Sequence, residues 1–194
     1  MTELDVVNMA LVYLGQSQLS AIEYKGATEP APCARLFYNQ AVKSVLRRHR
    51  WNFSLMSVVV CSDVVNGFYR VIVPDDCSRV TGMFCGCVRI DDFSFEGGYV
   101  VCQQKPDRME YISNELDVDG WDALFVDCVA LRLAGYLANA VCQSPELENR
   151  MLQRLEQLDI PHAMTADARE SGYGNRSNII HCLKHSLLLG VRHG

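Results

Sequence analysis

WDALFVDCVALRLAGYLANAVC, residues 121–142, decides how the rest of the chain is read. Seventeen of these 22 residues are apolar, Asp122, Asp127, Arg132, Gly135 and Asn139 are the exceptions, and no proline interrupts the run. As a helix the stretch is ~33 Å long, at a rise of ~1.5 Å per residue. Phe125, Cys128, Leu131, Gly135, Ala138 and Cys142 recur at helical spacing, and Leu124, Val129, Leu133, Leu137 and Val141 widen the stripe most of the way round. A helix apolar on most sides needs other helices to cover it. Asp122, Asp127 and Arg132 leave no uncharged run of ~18 residues. The stretch therefore predicts the central rod of a helical bundle rather than a membrane span.

A chain of 194 residues, 49% apolar and 21% charged, suits one globular domain or a domain with a small inserted lobe. The net charge of −5 provides no overall basic field for nucleic acid. The charge is unevenly spread. Residues 172–194 hold Arg176, Lys184 and Arg192 and no acid, which leaves −8 on residues 1–170. The N-terminus carries Glu3 and Asp5 and lacks the basic opening of a signal peptide. Nine cysteines, an odd number, lie largely in apolar runs and read as small buried hydrophobes in a reducing compartment. Cys85-Gly86-Cys87 is the only close pair. It lacks the CxxC spacing of a zinc site and reads as one face of a core strand.

Outward from the rod, Thr2 with Asp5 predicts a capped helix carrying Leu4, Val7, Leu11 and Leu14 and ended by Gly15. Residues 16–26 read as a loop whose Leu19 and Ile22 tuck back onto the bundle. Thr28 is placed to cap a second helix, with Pro30 and Pro32 in its first turn and Cys33, Leu36, Phe37, Ala41, Val45 and Leu46 on its apolar face. That helix runs into Lys43, Arg47, Arg48, His49 and Arg50. Cations in a last turn complement the helix dipole, and the same cluster also suits contact with an acidic surface or nucleic acid.

Past Trp51 the period changes from helical to alternating. Val58–Cys61, Phe68–Val73, Val80–Val88, Tyr99–Cys102 and Met109–Ile112 are strand-like runs separated by turn residues such as Asn66-Gly67 and Gly97-Gly98. They predict one antiparallel sheet of about five strands. After the rod, Ser144 and Pro145 open a last helix with Leu147, Met151, Leu155 and Leu158 on one stripe, and Pro161 stops or kinks it. The fold class expected is α+β: a mainly antiparallel helical bundle from residues 1–52 and 115–170, a small antiparallel sheet inserted at 53–114 between the second helix and the rod, and an extended C-terminal arm at 171–194. In that arm Ile179, Ile180, Leu183, Leu187, Leu188 and Leu189 alternate with Lys184, Arg192 and histidines. An arm this apolar folds back on the body or docks on a partner, and the glycines before it favour docking.

No dinucleotide, phosphate-loop, zinc-protease or nucleophile-elbow motif occurs. His181 and His185 share a helical face but lack a third ligand. Asp75-Asp76 and Asp91-Asp92 fall at strand boundaries, where aspartate is a turn residue. These residues point to no catalytic, cofactor or metal site, and with nine cysteines and five histidines a Cys–His pair arises freely by chance.

The order of motifs resembles a known family. Ala10-Leu11-Val12-Tyr13-Leu14-Gly15 closes the first helix, and Trp51-Asn52-Phe53 follows the second. Pro74-Asp75-Asp76-Cys77 closes a strand, Gly97-Gly98-Tyr99 marks a hairpin, and Tyr111-Ile112 precedes Trp121 and the alanine- and leucine-rich helix. Over residues 4–160 this is similar to the tail tubular protein A type of head-to-tail adaptor from short-tailed phages. The arm does not match in detail, and the cysteine content is unusual for that family. The resemblance implies a non-enzymatic virion protein without cofactors, assembled in the host cytoplasm. It implies a dodecameric ring that binds the portal protein above and tail nozzle or tail tube proteins below. Genomic DNA passes through without sequence recognition, and no membrane is involved. Ile179, Ile180, Leu183, Lys184, Leu187, Leu188 and Arg192 are then expected to meet the portal, and Arg47, Arg48 and Arg50 to meet the portal or a neighbouring subunit. The rival readings are a DNA-binding regulator built on the basic cluster and a small cysteine-dependent enzyme.

Overall fold

The computed structural model describes residues 1–115 and 118–170. Among the described residues the fold is α+β, with five α-helices and two small antiparallel sheets. The described residues group into two units, 1–54 with 113–164 and 55–112 with 165–170.

In the first unit the rod forms as α4, Ala123–Ala140. Asp122 caps it, its carboxylate accepting from the backbone N–H groups of Leu124 and Phe125. Eleven of its residues are buried, from Phe125 to Ala138. α4 is long and apolar enough to cross a membrane, but most of it is buried, as in the core helix of a packed unit. Helices α1 (Glu3–Tyr13), α3 (Ala31–Leu46) and α5 (Pro145–Arg154) each pack on α4. Gly135 lets α5 approach closely, since a Cβ there would lie 3.0 Å from Leu152 Cδ2.

Helix α1 has the reciprocal Thr2–Asp5 capping box. It ends in a Schellman arrangement: Gln16 N–H donates to the Leu11 carbonyl at 2.9 Å and Gly15 N–H to Val12 at 3.0 Å. Gly15 has φ +69°, the left-handed conformation that this ending requires. The expected loop at 16–26 contains a short helix instead, α2 (Ala21–Lys25), with its own capping box from Ser20 and Glu23. Its Ile22 is 85% exposed and does not tuck in, whereas Leu19 is half-buried. Arg35 holds α2 against α3 by donating to the Tyr24 and Gly26 carbonyls.

Helix α3 departs from expectation at its start and along its buried face. Pro30, not Thr28, occupies the cap position, so no side chain caps the helix. The buried face is Ala31, Ala34, Tyr38, Ala41, Val42, Val45 and Leu46. Leu36 is 71% exposed. The inward stripe follows the phase of Ala31, Ala34, Tyr38, Ala41 and Val45, and Leu36 lies off it.

Helix α5 begins as expected, with the Ser144 hydroxyl accepting from Leu147 N–H. Pro161 does not end the helical path. A π turn, Leu155–Asp159, precedes it, and residues 160–170 continue as helix. The wider turn accommodates the residue without an N–H and shifts the helical phase. Buried positions run Met151, Leu155, Ile160 and Ala163, with a five-residue step across the π turn, and Leu158 is turned out to 65% exposure.

The second unit replaces the single five-stranded sheet with eight strands in two sheets. The strands are β1 (Leu55–Val59), β2 (Asp63–Val65), β3 (Phe68–Ile72), β4 (Cys77–Cys85), β5 (Val88–Ile90), β6 (Phe93–Glu96), β7 (Tyr99–Cys102) and β8 (Arg108–Ser113). One sheet has the order β1-β8-β4-β5 and the other β2-β3-β7-β6. They share one core, made of Val80, Met83, Ile90, Met109 and Tyr111 from the first and Val71, Val100 and Cys102 from the second. Two-residue turns close the hairpins at Asn66-Gly67 and Gly97-Gly98, where both residues take positive φ. Cys85-Gly86-Cys87 is also a hairpin end, not a core strand: Gly86 has φ +59° between β4 and β5, and Cys85 is exposed.

Candidate functional site

The expected sites fall in different places. Ile179, Ile180, Leu183, Lys184, Leu187, Leu188 and Arg192, with His181 and His185, lie outside the described residues. Arg47, Arg48 and Arg50 lie at the C-terminus of α3 and in the turn after it, all exposed. Arg48 is ion-paired to Glu156 in the π turn, and this contact ties the end of α3 to the segment after α5. An exposed pair of this kind contributes roughly 0–1 kcal/mol. His49 packs edge-on against Trp51, with ring centroids 5.1 Å apart.

Trp51 is fully buried and donates from Nε1 to the Val45 carbonyl at 3.1 Å. Its ring meets Phe125 of α4 at 5.1 Å. Phe53 and Trp121 approach the same ring at 4.9 and 5.1 Å. Three aromatic residues from two sequence motifs, Trp51 and Phe53 from one and Trp121 from the other, thus converge on one side chain of the rod.

Four of the thiols, Cys33, Cys77, Cys102 and Cys128, are poorly suited to nucleophilic chemistry. Burial pushes Cys128 up to about 12, with the charges of Asp159 and Asp127 adding to the shift. Cys77 and Cys102 are raised chiefly by burial, and Cys33 chiefly by its hydrogen bond to Glu29. A reactive cysteine needs the opposite shift. The expectation that the cysteines are buried holds for Cys102 and Cys128, while Cys61 and Cys85 are exposed. Among the described residues, no group of three or more His, Cys, Asp or Glu side chains is arranged to hold a metal. The paired aspartates are turn residues: the Tyr111 hydroxyl donates to both Asp76 carboxylate oxygens at 3.2 Å, and Asp91 accepts from Arg89 at 3.2 Å.

A surface that periodicity did not single out is the outer face of the second sheet. Val71 and Val100 pair across β3 and β7 and point into the core. Their neighbours in register point the other way, so Arg70, Val101, Ile72 and Tyr99 are outward. Val65 opposite Phe68, and Ser94 and Glu96 opposite Val101 and Tyr99, extend the same face. An antiparallel sheet with one free side usually presents polar side chains there. Here Val65, Phe68 and Ile72 are exposed, Ile72 by 68%. Arg70 lies flat over Tyr99, its guanidinium carbon 3.9 Å from the ring centroid. An open cleft of about 680 Å³ crosses this face, with Asp92 and Glu96 on its lining. The signal was present in FYRVIV, residues 68–73, where both parities are largely apolar. A strand apolar on both sides needs two covers.

No protein-family model matches the chain, and no curated protein is similar to it.

Proposed function

We propose that this protein is a structural component of a virion, a head-to-tail adaptor whose copies form a ring beneath the portal and join capsid to tail. The reading rests on the ordered motifs of the sequence. The observation that carries it is the meeting of Trp51, Phe53 and Trp121 around Phe125, because residues from distant motifs build one joint. In this reading a helical bundle with an inserted β lobe is the subunit body. α4 and the helices packed on it form the stiff wall, and the C-terminal arm reaches the portal. Twelve copies close the ring through two different faces of each subunit. The −8 charge of residues 1–170 suits a DNA conduit, because acidic walls repel phosphates and the duplex slides.

The DNA-regulator reading is weakened by the engagement of Arg48 with Glu156, and the cysteine-enzyme reading by thiols shifted away from thiolate. The test is attachment. The protein is mixed with portal-bearing capsids lacking tails and imaged by electron microscopy. A ring at one vertex is expected, and removal of residues 172–194 abolishes it while leaving far-UV circular dichroism nearly intact. Normal attachment of the truncated chain refutes the role given to the arm. Failure of the full chain to bind any portal vertex, together with tight salt-sensitive binding to duplex DNA, refutes the adaptor.

A further inference from the structure

We propose that the outer face of the second sheet receives the exposed stripe of α3 from a second copy of this chain. The proposal rests on the ring reading and names its two faces. The sheet supplies an apolar centre, Val65, Phe68 and Ile72, with acids Asp63, Asp92 and Glu96 around it. Arg70, stacked on Tyr99, keeps its charge, but Asp63, Asp92 and Glu96 outnumber it, so the acids set the local sign.

Helix α3 supplies the complement. Leu36, Lys43 and Arg47 are separated by seven and four residues and share one side of the helix. All three are exposed. Leu36 is the apolar member, and Lys43 and Arg47 are the cations. Leu36 meets the apolar centre of the sheet, and Lys43 and Arg47 meet the acids around it, so charge complementarity carries the contact. The two faces differ, so the contact is heterologous and propagates from copy to copy, as ring closure demands.

The face is small. Four strands ~4.8 Å apart and four to five residues long give about 15–20 Å on a side. Free chains therefore associate weakly, as interfaces below ~1,200 Å² do. Charge decides register and partner choice in such a contact.

The experiment is a charge exchange followed by sedimentation velocity of the full chain, from about 10 μM to about 1 mM, the span expected of a weak interface. Wild type associates as concentration rises. Glu96→Lys alone and Lys43→Glu alone each weaken association at least ~10-fold, since each places like charges together. Both residues are exposed, and unchanged circular dichroism verifies the fold. An equimolar mixture of the two variants recovers association. In it, the unaltered α3 of the Glu96→Lys chain meets the unaltered acidic sheet of the Lys43→Glu chain. The reversed charges of the two chains also match each other. A general loss of folding or solubility does not produce that recovery. Wild type that stays monomeric at the highest concentration, variants that associate like wild type, or a mixture that fails to recover each overturns the proposal. If rings form on portals but ignore both substitutions, these faces are wrong and the adaptor reading stands. If the exchange behaves as expected but no portal binds, the interface stands and the adaptor reading falls.

Discussion

Replacing Phe125 by alanine tests whether the aromatic joint organises the helical unit. Phe125 is fully buried and touches Trp51, Phe53 and Trp121 with ring centroids 4.9–5.1 Å apart. Losing a buried phenylalanine ring costs about 3–5 kcal/mol. Each aromatic pair adds ~0.5–1.5 kcal/mol beyond its buried area. Three pairs end at one ring, so the loss belongs at the upper end, about 4–5 kcal/mol. A domain has only about 5–15 kcal/mol in all. With a urea slope of ~2 kcal/mol/M, the midpoint falls by roughly 2 M. The assay is urea unfolding followed by tryptophan fluorescence, which reports on Trp51 and Trp121 directly. Phe125→Leu keeps most of the volume and is expected to lose under half as much. A loss below ~0.5 kcal/mol for Phe125→Ala, the level of an ordinary surface change, refutes the claim that the three motif residues are held through this ring.

Three other outcomes follow from the described geometry. Gly15→Ala is expected to cost about 1–2 kcal/mol, because φ +69° is strained for alanine even though nothing lies within 4 Å of the added Cβ; an unchanged melting temperature contradicts the Schellman ending. Burial, reinforced by the charge of Asp159, raises the Asp127 carboxyl above its ordinary value. The folded state thus favours protonated Asp127: this contribution is fully present below the unfolded value and is lost as pH rises through the folded one. Asp127→Asn should therefore raise the melting temperature at pH 7 relative to wild type, by an amount that shrinks toward pH 4, and a gain independent of pH refutes the assignment. In native protein, iodoacetamide at pH 8 should label the exposed Cys61 and Cys85 well before Cys128, which is buried and whose thiol that burial pushes well up; equal labelling rates in peptide mass spectra refute the burial.

Much of the helical unit was legible, for local reasons. Thr2 with Asp5, Gly15, Ser144 and Pro145 act within one or two turns of their own position, and helix termini obey such short-range chemistry. The rod was legible because its apolar residues encircle it. What escaped depends on neighbours. Leu36 reads as core by its chemistry, but the buried stripe of α3 runs through Ala31, Ala34, Tyr38, Ala41, Val42, Val45 and Leu46, and which helical phase is covered is set by the packing partner. Helix α2 has five residues, too few for periodicity to register. Strands β2, β5 and β6, with three or four residues each, were submerged in the turns beside them, so two sheets read as one. Cys85-Gly86-Cys87 shows the same ambiguity: alternation suits a strand face, yet a glycine with positive φ reverses the chain there. The outer sheet face was visible only as a two-sided apolar run, and nothing local indicates which of its sides is covered.

The π turn has a consequence for comparing this chain with any other. Up to Leu155 the buried residues keep one helical frame, and from Ile160 they keep another, displaced by one position. A homologue lacking the proline could carry the same inward residues with one residue fewer. Matching the two correctly would require a gap inside what looks like an unbroken helix. Deleting a single residue between Leu155 and Ile160 should therefore disturb this chain less than deleting one on either side.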